Sequence, residues 1–171
     1  YSSHEERDNL VIKEVNGISY AFFAYTESTN GIRIPNGDNY LVDTYNNEKA
    51  YQDIMKVKGK ADIIIVSMHW GDEYSFNISN RQREIASYLS SLGVKLIIGH
   101  HPHVVEPIEY VNDTLVIYSL GNSLSAQRGI DRLTGLMLSL DIVKTTIDGI
   151  SSISFENIKA GLTYTYSETI N

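Results

Sequence analysis

Apolar runs alternate with polar turns along this chain, and their lengths and spacing sort them into strands and helices. Residues 10–15 and 18–25 flank Asn16-Gly17, the pair favoured in two-residue hairpin turns, and predict a β-hairpin. Ile63-Ile64-Ile65-Val66 and Val94-Lys95-Leu96-Ile97-Ile98 are short, branched and almost unbroken, the pattern of strands buried on both faces. Between them Ile85, Leu89 and Leu92 repeat on one helical face over about residues 80–92; Ser79 and Gln82 fit a capping box and Gly93 closes the helix. With that stripe on the sheet, the crossover is expected to be right-handed. Another helix is predicted over about residues 47–58, with Asn47 as cap, Ala50, Ile54 and Val57 as stripe and Gly59 as stop. Residues 104–111 and 114–119 flank Asn112-Asp113 as a second hairpin, and residues 133–143 and 150–158 flank Asp148-Gly149 as a third. Residues 1–9 and 26–39 read as loop, and residues 159–171, with alternating Tyr164 and Tyr166, as an edge strand or a tail. Neither repeat nor linker divides the chain, so one structural unit is expected.

This arrangement decides where the chemistry falls. Four of the five histidines lie in His69-Trp70-Gly71 and Gly99-His100-His101-Pro102-His103, directly after the two buried runs. Parallel strands joined by a helix bring their C-terminal ends to one sheet edge, where open α/β sheets bind ligands. Neighbouring strands lie roughly 4.8 Å apart, so both motifs can face one ion. Pro102 biases His101 towards extended backbone, which would set His101 and His103 on one face and His100 on the other. A lone histidine at such an edge is usually a polar loop residue; four at two matched strand ends point to a metal, for which neutral imidazole suits zinc, iron or manganese. If Val111 pairs with Thr114, the register counts back to place His103 opposite Asn122. The Asn122 amide could then ligate a metal or hold a substrate oxygen, although Gly121-Asn122 also reads as a turn signal. Arg81 and Arg83, near a helix start, suit an anionic group or simply a solvated face.

Composition narrows the partners. At 171 residues, 42% hydrophobic and 20% charged, the chain can bury one real core. A formal net charge of −7 argues against nucleic acid, which demands a basic face. The absence of cysteine excludes disulfides and thiolate metal sites. No apolar stretch approaches the ~20 residues of a membrane span, and no signal peptide is visible. Tyr1 in place of Met reads as the start of a processed or excised piece.

The stretch Ala61-Asp62-Ile63-Ile64-Ile65-Val66-Ser67-Met68-His69-Trp70-Gly71-Asp72-Glu73-Tyr74, then Ile98-Gly99-His100-His101-Pro102-His103-Val104, then Ile117-Tyr118-Ser119-Leu120-Gly121-Asn122 resembles three ordered signatures of the CapA family. These are bacterial poly-γ-glutamate capsule biosynthesis proteins with a calcineurin-like metallophosphoesterase fold, and the resemblance is strongest over residues 10–143. It implies an α/β fold, a four-layer metallophosphoesterase-like sandwich of which this chain is the C-terminal half, a β-α-β unit plus hairpins. It also implies two divalent ions (manganese, iron or zinc) in the complete domain and a place on the outer face of a bacterial membrane, with the anchor outside this chain.

By position, His69, His101 and His103 match the metal-binding histidines of the motifs. Asp72, Glu73 and Asn122 are candidates for orienting those imidazoles. His100 and Asn122 are candidates for substrate contact or proton transfer, and Arg81 and Arg83 for substrate binding. The family's Gly-Asp, Asn-Leu-Glu and Asn-Asn-His motifs have no counterpart here, so part of a metal site is expected, beside an uncovered apolar sheet face. The missing half, as a separate chain or a second copy of this one, is then the expected partner. An anionic polymer or phosphoester and other capsule synthesis proteins are expected partners as well. Three functions follow: a capsule synthesis or export component, a metal-dependent phosphoesterase, or a self-contained single-zinc hydrolase using three histidines and water.

Overall fold

The two buried apolar runs pair in parallel at the centre of the structure, a computed structural model that describes residues 1–166. In chain order the elements are α1 (His4–Asp8), β1 (Ile12–Val15), β2 (Ile18–Thr26), α2 (Asn47–Val57), β3 (Ile63–His69), α3 (Asn80–Leu92), β4 (Leu96–His100), β5 (Ile108–Val111), β6 (Thr114–Ile117), β7 (Thr134–Ile147) and β8 (Ile150–Tyr164). Six strands form one sheet in the order β1-β2-β3-β4-β6-β5, and β7 and β8 form a separate two-stranded sheet. β2, β3, β4 and β6 are parallel, while β1 and β5 fold back antiparallel at the two edges.

Alternation along the strands builds two faces. Ala21, Phe23 and Tyr25 of β2, Ile64, Val66 and Met68 of β3, Ile97 of β4 and Val116 of β6 pack with the buried stripes of α2 and α3. The next residues over, Ile65, Leu96, Ile98, Leu115 and Ile117, meet Leu138, Leu140 and Phe155 of the β7–β8 hairpin. Burial on both sides explains why β3 and β4 read as unbroken apolar runs. The hairpin covers this second face incompletely. Phe22 is 53% exposed, and a groove of about 320 Å³ lies over Tyr20, Ile63 and Ile65, with Ile142 as a wall.

Local chemistry sets the ends. Ser79 and Gln82 form the expected capping box on α3, and Gly93 closes it with φ 101°. On α2 the cap is Asn46, which accepts from Lys49 N, rather than Asn47, which takes the first helical position. Residues 1–9, expected as loop, contain the short helix α1, capped by Ser3 and fastened by Arg7 to Asp43 and Asp53. A buried ion-pair network holds this segment, and local sequence pattern carries no trace of it. β7 and β8 run longer than expected and pair over most of their length, with an irregularity between Ser139 and Asp141. Of the stretch 159–171, the part through Tyr164 belongs to β8, and residues 167–171 lie outside the described residues. No helix among the described residues is long and apolar enough to cross a membrane.

Candidate functional site

Thr26, His69 and His100 occupy one register row across the C-terminal ends of β2, β3 and β4. Parallel pairing therefore assembles the first part of the site from backbone alone. The Thr26 hydroxyl donates to the Ser28 carbonyl at 2.6 Å, which leaves its oxygen to accept from His69 Nδ1–H at 3.0 Å. That contact fixes the tautomer of His69 and leaves the lone pair on Nε2. Burial holds the His69 pKa below its usual value, and the neighbouring His101, His100 and His103 push it the same way; Glu73 alone opposes them. Burial also lowers His100. Both rings are therefore neutral at pH 7, the form that ligates metals.

Beyond β4 the backbone departs from the extended course expected before Pro102. His101 has φ 103° and His103 φ 60°, so strand alternation does not govern this loop and does not place His100 opposite the other two. Left-handed backbone at bulky residues is strained and persists only where surrounding structure enforces it. Here Trp70 N donates to the His100 carbonyl at 3.0 Å and Tyr74 N to the Pro102 carbonyl at 2.7 Å, binding the two motif loops together. The His101 ring lies 4.4 Å from that of His69 and 6.2 Å from that of His103. His101 Nδ1 is buried, with no hydrogen-bond partner among the described residues.

The second hairpin keeps the register read from the sequence. Val111 pairs with Thr114, and the bridge between Val105 and Leu120 continues the same count. His103 Nδ1 accordingly meets Asn122 Oδ1 at 2.9 Å. The Asn122 amide nitrogen donates back to the His103 carbonyl and to the Arg132 carbonyl, so its oxygen accepts from His103 and the lone pair of His103 also sits on Nε2.

Two glycines are dictated by close packing. A Cβ on Gly99 would sit 1.9 Å from the Tyr118 carbonyl oxygen and 2.5 Å from Trp70 Nε1, the atoms of a buried 2.9 Å hydrogen bond. One on Gly71 would lie 2.6 Å from Gln82 Nε2. Gln82 in turn donates to Glu106 at 2.7 Å, beneath the histidine loops. Glu106 is 2% exposed, and its other oxygen has no partner. Burial, reinforced by the charge of Asp72, raises its pKa to about 7 against the opposing Gln82 bond.

The remaining candidates fall elsewhere. Asp72 and Glu73 are exposed, and among the described residues no carboxylate hydrogen-bonds a histidine; Thr26 and Asn122 do so instead. Arg81 is paired with Glu27 at 3.1 Å and Arg83 with Glu109 at 2.9 Å. No group of three His, Asp or Glu side chains among the described residues closes around one ion. A three-histidine zinc set is thus not preassembled, although the donors fit a metal in kind: His69 and His103 are oriented through Nδ1, and His101 Nδ1 is buried and free of hydrogen bonds among the described residues. Thr26, Tyr74, Gln82, Glu106 and Arg132 were not legible as site residues. Only Glu106 left a signal, a carboxylate inside the apolar run 104–108.

Comparison with known proteins agrees with the motifs. A family model described as bacterial capsule synthesis protein PGA_cap matches residues 1–127. The PGA biosynthesis protein CapA of Bacillus subtilis is 36% identical over 122 residues, 71% of this chain and 32% of that protein. The capsule biosynthesis protein CapA of Bacillus anthracis is 32% identical over 118 residues, 67% of this chain and 29% of its own length. A probable polyglutamine synthesis accessory protein of Mycobacterium tuberculosis is 30% identical over 77 residues, 45% of this chain and 20% of that protein. The chain spans about a third of the length of the two Bacillus relatives. With three quarters of its length inside the family match, and with both histidine motifs in that span, the chain belongs to the PGA_cap family of bacterial capsule synthesis proteins.

Proposed function

We propose that the histidine cluster is one wall of a divalent-metal site in a metallophosphoesterase-like four-layer domain that serves poly-γ-glutamate capsule synthesis or export. The observation that carries this reading is the 4.4 Å approach of His69 to His101 beside the orphaned, buried Nδ1 of His101. His69, His101 and His103 would hold the ions, with Thr26 and Asn122 orienting two of the rings in the manner of outer ligands in metal sites. When bound, such a pair of ions supplies Lewis acidity and a nucleophilic water at neutral pH. His100 would contact substrate at the same strand edge. The carboxylate ligands would come from a further part of the domain, packed on the open half of the sheet over Phe22 and the Tyr20–Ile65 groove. A location at the outer face of a bacterial membrane, among other capsule synthesis proteins, accords with this role.

Two forms of this reading separate in one experiment. The full-length protein is given a chromogenic phosphodiester with Mn²⁺ and, separately, poly-γ-glutamate. Turnover that disappears in His101→Ala makes it a phosphoesterase. Binding of the polymer without turnover, lost in the same variant, makes the domain an adapted binding module. Absence of both turnover and binding overturns the proposal.

A further inference from the structure

The segment after β6 folds back over the histidine loops and delivers an arginine that the motifs do not contain. Arg132 lies with its guanidinium carbon 4.1 Å from the centre of the Tyr74 ring. The same ring stacks on His103 at 5.8 Å. Asn122, which orients His103, also accepts the Arg132 segment by donating to the Arg132 carbonyl at 2.8 Å. One amide thus fixes the position of an imidazole and of a cation together. Tyr74 is itself pinned: its backbone has φ 65° and its N–H donates to Pro102.

Among the described residues the Arg132 guanidinium makes no hydrogen bond to a carboxylate, in contrast to Arg81 and Arg83. Arg81 and Arg83 are hydrogen-bonded to Glu27 and Glu109. The nearest carboxylate to Arg132 among the described residues is Asp131, an ion pair at 3.8 Å from Nε and beyond hydrogen-bond range. That Nε is buried with no hydrogen-bond partner among the described residues, while the side chain keeps 38% of its surface exposed. A guanidinium held over an aromatic ring, with donors to spare, is pre-organised for a planar or tetrahedral oxyanion. In a chain of net charge −7, a cation held beside the histidine cluster and paired only with Asp131 at 3.8 Å is a local exception to the acidic field.

We propose that Arg132, held on Tyr74, is the oxyanion-recognising residue of this site, binding a carboxylate or phosphate of the substrate next to His103. The inference deepens the function proposed above and rests on the histidine cluster being the working site.

The test is calorimetric titration of the full-length protein with inorganic phosphate and, separately, with glutarate, with metal content measured on the same samples. Arg132→Gln is expected to weaken the preferred probe by about tenfold or more, the loss of one charge-assisted contact. Its metal content should equal that of wild type. Arg132→Lys, which keeps charge but not the fork, should fall between the two, and Tyr74→Leu should weaken the same probe. A loss confined to phosphate identifies a phosphoester ligand, and one confined to glutarate a carboxylate polymer. Wild-type affinity for both probes in a folded Arg132→Gln, or no binding of either probe by wild type, overturns the proposal. If wild type holds no metal yet Arg132→Gln still loses the probe, the metal reading falls and this assignment stands.

Discussion

At the scale of single residues, the site is held less by carboxylates than by small, geometrically demanding contacts. Thr26 and Asn122 each accept from an imidazole Nδ1, and each leaves the outward nitrogen with its lone pair. Gly99 permits Trp70 Nε1 to reach the Tyr118 carbonyl behind the histidines. Gly99→Ala should force backbone apart, because the nearest atom to the new methyl is a main-chain oxygen at 1.9 Å. The expected loss is about 3 kcal/mol or more, in the overpacking range for a rigid core. Urea unfolding checks it, and a variant within about 0.5 kcal/mol of wild type would contradict the packing described. The approach of His69 to His101 and of His103 to Asn122 was legible from strand ends and register. Thr26 and Arg132 were not, since one comes from a strand with no motif and the other from a loop whose return depends on tertiary contacts.

At the scale of elements, α3 links its own N-terminus to the site. Gln82 closes the capping box through Oε1 at 2.8 Å to Ser79 N and spends its amide nitrogen on Glu106. Glu106 prefers its protonated form when folded, with a pKa of about 7 against an ordinary value of 4.5. Between those values the unfolded chain has lost this proton while the native state retains it. Stability therefore falls as pH rises from about 4.5 to about 7, and the full penalty persists above that. Glu106→Gln should remove the penalty, worth roughly 3 kcal/mol at pH 8 by the usual conversion of a shift of this size. It should also flatten the pH dependence of the urea midpoint between pH 5 and 7. A variant no more stable than wild type at pH 8 would count against a raised Glu106 pKa. The capping box, both helices and the hairpin register were readable because they follow from local rules. The left-handed course of His101 and His103 was not, because two loops bound to one another override the bias of Pro102.

At the scale of the whole molecule, one face of the sheet is finished and the other is not. Helices α2 and α3 close the first, and α1 is riveted beside it by Arg7, which bonds Asp43 at 2.8 Å and Asp53 at 2.9 Å, while Tyr25 donates to Asp53 at 3.0 Å. Asp43 and Asp53 are 8% and 2% exposed. Arg7→Gln would leave the buried Asp53 without its cation, while Asp43 keeps Lys49, and should cost about 3 kcal/mol. The urea midpoint is expected to drop with an unchanged slope; an unchanged midpoint would show the network to be idle. The second face, expected from the sequence to be uncovered, is covered in part by the β7–β8 hairpin; Phe22 and the groove over Tyr20, Ile63 and Ile65 remain open. The α/β class was readable there because apolar runs report burial, whereas what covers an open face leaves no mark on the face itself.

The account depends most on His69 and His101 sharing a metal ion. The direct measurement is metal content of the full-length protein by elemental analysis, for wild type, His69→Ala and His101→Ala, with folding confirmed by circular dichroism. Wild type should retain divalent metal through gel filtration, and each variant should hold at least about tenfold less. Equal metal in all three proteins, or none in wild type, would contradict it.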